Sequence, residues 1–250
     1  MNNDKVNILG VNVDMLTIKE AAERIYSFLG GDKCRTVFTP NSEIIMMGYR
    51  DDEFRDILNS ASVLAADGIG VVYASRILKK PLKERCAGFD IAVSLLEKLN
   101  GSGYGLFLFG GKPGVAEKAR EELLKDYPDL KISGLRNGYF DESDEGDIVK
   151  QINESGADIV FVCLGAPKQE KWIYRHRDEL KVKAALGIGG SLDVFAKNVE
   201  RAPEFFCKAG LEWFYRLVKE PSRFKRMTVL PVFGMTVIFK GKRYKKTADR

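Results

Sequence analysis

Short, almost uninterrupted apolar runs alternate along this chain with helix-length amphipathic segments, and most of the runs end in a Gly-rich loop. The runs include Thr36–Phe38, Val63–Ala66, Gly105–Phe109, Asp158–Leu164 and Ala184–Ile188, and the more polar Lys131–Leu135 reads as a further strand. A strand that is apolar at nearly every position is buried on both faces, which antiparallel half-solvated strands are not. The pattern therefore predicts an α/β fold, a Rossmann-like and mainly parallel sheet covered by helices on both faces. Val6–Val13 reads as a strand or strand pair. Thr17-Ile18-Lys19-Glu20 is a capping box that opens a helix running to about Leu29. Further helices are expected over Phe89–Leu99, Val115–Lys125 and around Gly146–Ser155.

The charge pattern divides the chain. Residues 201–250 hold 13 Lys+Arg and 4 Asp+Glu, a balance of +9, while the whole chain is +5 and residues 1–200 therefore sum to −4. Aromatic residues are interleaved with the basic ones. A catalytic α/β domain is expected over residues 1–196, with a basic, aromatic, mainly helical appendage over 197–250 that meets something anionic. The start of the chain has no apolar secretory segment, and the longest apolar run, Val229–Phe239, is shorter than the roughly 17–25 residues that span a bilayer. Cys34, Cys86, Cys163 and Cys207 are widely spaced and read as reduced thiols of a cytoplasmic protein. The sole histidine, His176, lies in a charged stretch and reads as a solvated helix face.

In open α/β sheets ligands bind beyond the carboxyl ends of the strands. Five loops meet that condition: Thr39-Pro40-Asn41, Asp67-Gly68, Gly110–Gly114, Gly165–Glu170 and Gly189–Asp193. Gly110-Gly111-Lys112-Pro113-Gly114 would let backbone N–H groups approach a phosphate, or would serve only as a tight turn. Asp67, at a strand end with glycines around it, suits a general base and equally an N-cap. Thr39 and Asn41 can hydrogen-bond a sugar or diphosphate, or stiffen a turn and cap a helix. Lys168 and Gln169 can hold phosphate or sugar, in a loop whose Pro167 also suits a helix start. Together the loops point to a nucleotide or sugar-nucleotide pocket.

Six blocks in order carry a more specific signal. Thr39-Pro40-Asn41, Ala66-Asp67-Gly68, Arg85-Cys86-Ala87-Gly88-Phe89-Asp90, Phe109-Gly110-Gly111, Leu164-Gly165-Ala166-Pro167-Lys168-Gln169-Glu170 and Gly189-Gly190-Ser191-Leu192-Asp193 resemble the signature of the WecG/TagA/CpsF glycosyltransferases, glycosyltransferase family 26. The tail, from Arg201-Ala202-Pro203 through Gly210–Arg216 to Glu220-Pro221-Ser222-Arg223, resembles it too. The resemblance implies an inverting, metal-independent transferase that needs no cofactor. It would move a sugar from a UDP-sugar donor to a polyprenyl-diphosphate-linked GlcNAc acceptor. In the TagA branch, N-acetylmannosamine goes from UDP-ManNAc to the 4-hydroxyl of GlcNAc on undecaprenyl diphosphate, in wall teichoic acid assembly. Another donor, such as the uronic acid of ManNAc, stays open.

Carried onto this sequence, the resemblance makes Asp67 the base and Thr39 a substrate-positioning residue. Asn41, Arg85, Gly110, Gly111, Tyr139, Gln169 and Asp193 would line the donor pocket. Arg216, Arg223 and Arg226 would close over the diphosphates, because a guanidinium binds phosphate bidentately. Phe205, Phe206, Trp213, Phe214, Leu217 and Phe224 can form an apolar stripe beside basic residues, suited to the headgroup plane of a membrane, or can pack on the body as ordinary core. The expected location is cytoplasmic, peripheral on the inner face of the cell membrane. A homo-oligomer stays open beside a monomer whose own tail supplies the arginines. Two other classes compete with this reading, a nucleotide-dependent dehydrogenase and a nucleic-acid module. Against the first, the Gly-rich turn does not follow the first strand and no acid stands at the ribose position. For the second only the basic tail speaks, and the reading assigns no nucleic acid.

Overall fold

The computed structural model describes residues 4–203, 205, 206, 210–219, 224 and 228–248, with the backbone alone for Arg216 and for 242–248. Arg223 and Arg226, and with them Cys207 and Lys208, lie outside the described residues.

The chain opens with an antiparallel hairpin, β1 (Lys5–Ile8) and β2 (Val11–Asp14). A six-stranded sheet follows, built from β3 (Arg35–Phe38), β4 (Val63–Leu64), β5 (Gly105–Gly110), β6 (Lys131–Arg136), β7 (Ile159–Cys163) and β8 (Ala184–Gly187). Its order is β4-β3-β8-β7-β5-β6 and every pairing is parallel. Helices cover both faces, as the buried apolar strands require. β4 is shorter than the expected Val63–Ala66. The sheet's pairing with β3 ends at Leu64, and Ala65 instead bridges Asp14, bringing the hairpin to this edge. The buried Asp14 carboxylate secures the joint by accepting from Leu64 N at 2.7 Å, with Lys5 and Arg24 beside it.

The helices of the body are α1 (Ile18–Ser27), α2 (Ser42–Arg50), α3 (Asp52–Asn59), α4 (Ile69–Ile77), α5 (Gly88–Leu99), α6 (Val115–Asp126), α7 (Glu145–Glu154), α8 (Lys168–His176) and α9 (Ser191–Phe195). The capping box of α1 forms as expected, with Thr17 and Glu20 each accepting the other's backbone N–H. One apolar core holds α2, α3, α4, α7, α8 and the hairpin on one face, and the other holds α1, α5, α6 and α9. The helices after β3 and β7 thus lie on the face opposite to those after β8 and β5. That divergence opens a crevice at the carboxyl ends of the four central strands.

His176 is not on a solvated face. α8 packs toward the start of α7, so its imidazole Nε2 lies 2.8 Å from the Glu145 carboxylate and its ring 5.0 Å from that of Trp172.

Beyond α9, the helix Glu212–Lys219 and the long helix Val229–Ala248 complete the described structure. The long helix packs on α2, α4 and β1, and sinks Phe233 and Val237, one turn apart, into the first core. Phe233→Ala is expected to cost about 3–5 kcal/mol, the usual range for a buried phenylalanine. Urea denaturation checks it, and a cost below about 1 kcal/mol would mean the helix adds little to this core.

Candidate active site

The central strands deliver their following loops to one crevice. Thr39, directly after β3, is buried and donates its hydroxyl to the Gly187 carbonyl at the end of β8, at 3.2 Å. α5 begins hard against it, since a Cβ on Gly88 would fall 2.7 Å from Thr39 Oγ1 and any larger residue would push the two apart. Asn41 caps α2, its side-chain oxygen accepting from Glu43 N and Ile44 N at 2.9 and 3.0 Å. The capping role therefore holds, and only the amide nitrogen of Asn41 is left to face a ligand. Asp67 N donates to the Pro40 carbonyl at 3.1 Å, which fixes the two loops together. The cap position of α4 falls on Gly68, one residue after Asp67.

Arg85 stands near this carboxylate. Its guanidinium donates to Glu212 at 2.7 Å and to Asp90 at 3.3 Å. Burial works against its charge, yet Glu212, Asp67 and Asp90 together raise its pKa above the ordinary arginine value. Asp90 also pairs with Arg201, whose guanidinium lies over the Phe89 ring. Two ion pairs thus join the tail to the body at the edge of the crevice. Sequence reasoning gave Glu212 no role. The available signal was its presence as one of only four acids in a strongly basic segment.

Gln169 is the joint on the other side. Its side chain is 2% exposed, accepts from Gly189 N at 3.0 Å and donates to Glu170 at 2.9 Å. It thereby ties the loop after β7 to the loop after β8, and it lies directly against Gly187. Asp193, in the first turn of α9, adds to burial in holding the Cys163 thiol up at about 12. Gly110 and Gly111 close the crevice at β5. Gly110 has φ +136°, and a Cβ there would fall 2.3 Å from the Cys163 carbonyl oxygen, so only glycine allows β5 and β7 to end together. Gly138 N donates to the Gly111 carbonyl, which sets the neighbouring Tyr139 at the rim, 65% exposed. Lys168 Nζ is held 3.8 Å from the centroid of the Phe140 ring.

Thr39, Asn41, Asp67, Arg85 and Gln169 are thus brought together, with Gly110, Gly111 and Asp193 on the adjoining side and Tyr139 at the margin. Arg216 lies on the helix whose first residue, Glu212, binds Arg85. The helices α4, α5, α6, α8 and α9 all begin here, and none has a capping bond from the side chain of its cap residue. Their first amide groups add partial positive charge, which suits a diphosphate. A separate groove of about 480 Å³ lies around Ser133, Asp147 and Gln151 on the flank of β6 and α7, away from these loops.

Glu170 is 1% exposed, and its second oxygen has no partner among the described residues. Burial holds its pKa above the ordinary glutamate range, against the hydrogen bond from Gln169. The folded chain therefore binds this proton more tightly than the unfolded chain does. The associated stability is complete below about pH 4 and declines as pH rises through the folded-state value. Glu170→Gln is expected to lose less thermal stability than the wild type between pH 5 and 8, as followed by melting curves. Parallel curves would mean that this carboxyl is already ionised when folded.

The sequence pattern of the Glycosyl transferase WecG/TagA/CpsF family matches residues 6–247. A Bacillus subtilis (strain 168) protein named N-acetylglucosaminyldiphosphoundecaprenol N-acetyl-beta-D-mannosaminyltransferase is 39% identical over 84% of this chain and 81% of its own length. A protein of the same name from Staphylococcus aureus (strain MRSA252) is 37% identical over 99% of this chain and 97% of its own. The match extends through the tail as well as the crevice, and the chain belongs to the WecG/TagA/CpsF family of glycosyl transferases.

Proposed function

We propose that this chain is a hexosyltransferase that moves N-acetylmannosamine from UDP-ManNAc to the 4-hydroxyl of GlcNAc on undecaprenyl diphosphate, with inversion and without a metal ion. The observation that carries the reading is the crevice itself. The backbone of Asp67 is tied to the loop that carries Thr39, and the Thr39 hydroxyl and the Gln169 amide both lie against Gly187 at the end of β8, in a chain 37–39% identical to relatives named as N-acetylmannosaminyltransferases. In the proposed step the Asp67 carboxylate takes the proton of the acceptor hydroxyl. The oxygen attacks the anomeric carbon from the face opposite UDP, and the carbon–oxygen bond to the diphosphate breaks with its electron pair leaving on UDP. One such displacement inverts the centre. Thr39, Asn41, Arg85 and Gln169 orient the donor, with Gly110, Gly111, Tyr139 and Asp193 around it. The growing charge on UDP is met by helix N-termini and by Arg216, Arg223 and Arg226. Among the described residues no three His, Cys, Asp or Glu side chains are grouped for a metal ion, and the reading assigns the leaving-group charge to cations of the chain.

The acceptor brings the protein to the inner face of the cell membrane. No described helix is long and apolar enough to cross a membrane, and Phe205, Trp213, Phe214 and Phe224 of the tail are exposed, which supports peripheral contact.

UDP release from UDP-ManNAc with a short-chain diphosphate-linked GlcNAc acceptor tests the reaction. Asp67→Asn is expected to lower turnover by about a hundredfold or more, within the range of general-base catalysis. A variant as fast as wild type would remove Asp67 from the mechanism, and turnover only with another UDP-sugar would change the donor. A chain ending at Ala196 keeps the sheet and both helix layers. It is expected to melt cooperatively, at a lower temperature than the full chain, and to release no UDP. Full turnover by the shortened chain would show that the tail takes no part.

A further inference from the structure

The long helix Val229–Ala248 runs beside α4. Leu230 lies near Gly70 at one end of α4, and Gly241 packs on Leu78 at the other, so the two helices point the same way. Each turns apolar side chains outward. On α4 these are Tyr73 and Ile77, one turn apart and 52% and 47% exposed. On the long helix they are Val232, Met235, Ile238 and Phe239, the last 76% exposed. The inward residues Phe233 and Val237 already satisfy the packing of that helix, so its outer face is surplus to the fold. Large apolar side chains gathered on one surface mark a contact with something apolar.

The surroundings say what that is. Arg76 and Lys79 are exposed on and just after α4, and Lys240 is exposed on the long helix. The sequence then continues Lys242, Arg243, Lys245 and Lys246. An apolar strip bordered by cations fits an anionic bilayer, where the strip enters the acyl boundary and the cations stay at the phosphates. The distance to the crevice fits as well. α4 starts two residues after Asp67 and is nine residues long, which at about 1.5 Å per residue is roughly 13 Å. A lipid-linked sugar is separated from its bilayer only by a diphosphate, so the base that activates it has to lie close to the surface holding the lipid.

We infer that the paired outer faces of α4 and the long helix form a bilayer-docking surface, with Tyr73 and Ile77 of the catalytic body inserting beside Met235, Ile238 and Phe239. The surface is distinct from the aromatic stripe at 205–224. It rests on the proposed lipid-linked acceptor only for its orientation toward the crevice.

The test uses the full chain and vesicles of phosphatidylglycerol or of phosphatidylcholine, without acceptor. Wild type is expected to sediment with the anionic vesicles. The double variants Tyr73→Ser/Ile77→Ser and Ile238→Ser/Phe239→Ser are expected to lose on the order of tenfold or more in partitioning, with unchanged melting curves. Arg76→Glu is expected to weaken binding to phosphatidylglycerol and leave the weak binding to phosphatidylcholine unaltered. Turnover with a water-soluble short-chain acceptor should stay at the wild-type level in all three, while turnover on acceptor embedded in vesicles falls. Folded Ser variants that bind vesicles as wild type does would overturn the proposal. So would a wild type that dimerises through this face and variants that become monomers without losing vesicle binding. Absence of turnover with every acceptor would count against the proposed reaction, and the vesicle measurements would still decide this surface.

Discussion

Strands β5, β7 and β8 are buried at every residue, and their backbone groups are satisfied by parallel neighbours on either side. A sheet closed on both faces by helices has no room for a polar side chain between its layers. The chemistry is therefore displaced to the strand ends, where loops cross open backbone and helices begin. Thr39, Asp67 and Gln169 all lie within a few residues of such an end. The opposed departure of helices from neighbouring strands then spreads those loops into a crevice. The crevice follows from the sheet's connectivity, and in the proposed function the named side chains make it specific.

Electrostatics ties the appendage to that crevice. Arg85 and Glu212 exclude much of the water between them, and Asp90 holds Arg85 and Arg201 at once. A partly buried ion pair of this kind adds less to stability than to definition, because desolvation offsets most of the attraction. What it defines is where the helix Glu212–Lys219 begins relative to Asp67. The long helix is anchored differently, by Phe233 and Val237 in the apolar core. The tail is thus attached once by charge at the rim and once by burial behind α4.

Much of this was legible in the sequence because the signals were local. Alternating apolar runs and helices give a parallel sheet, and Thr17 with Glu20 gives the start of α1. Asn41 as a cap was among the open readings. What was not legible depends on contacts between distant segments. Nothing near His176 says that Glu145 will lie against its ring. Nothing near Glu170 says that its carboxyl will be buried, with a hydrogen bond from Gln169 to one of its oxygens. Asp67 shows the limit well: a carboxylate before a glycine and a helix reads as a cap, and only the backbone of Gly68 shows that the cap lies one residue later. The exposed face of α4 was equally hidden, since Tyr73 and Ile77 are the kind of residues that a buried helix would carry.

The hydrogen bond from Thr39 to the Gly187 carbonyl joins positions 148 residues apart in sequence. β3 and β8, adjacent in the sheet, are thus made more than a hundred residues apart in the chain, one near the start and the other at the end of the sheet-forming sequence. Early in synthesis β3 can pair with β4, but its other edge stays unpaired until β8 has left the ribosome. Parallel pairings of such long range form slowly and leave strand edges exposed meanwhile. The crevice is therefore assembled late, and a nascent chain passes through a period in which its most apolar strands lack a neighbour. For a protein of this connectivity, the vulnerable moment is during its making, and the demand on chaperones is set by the order of the strands.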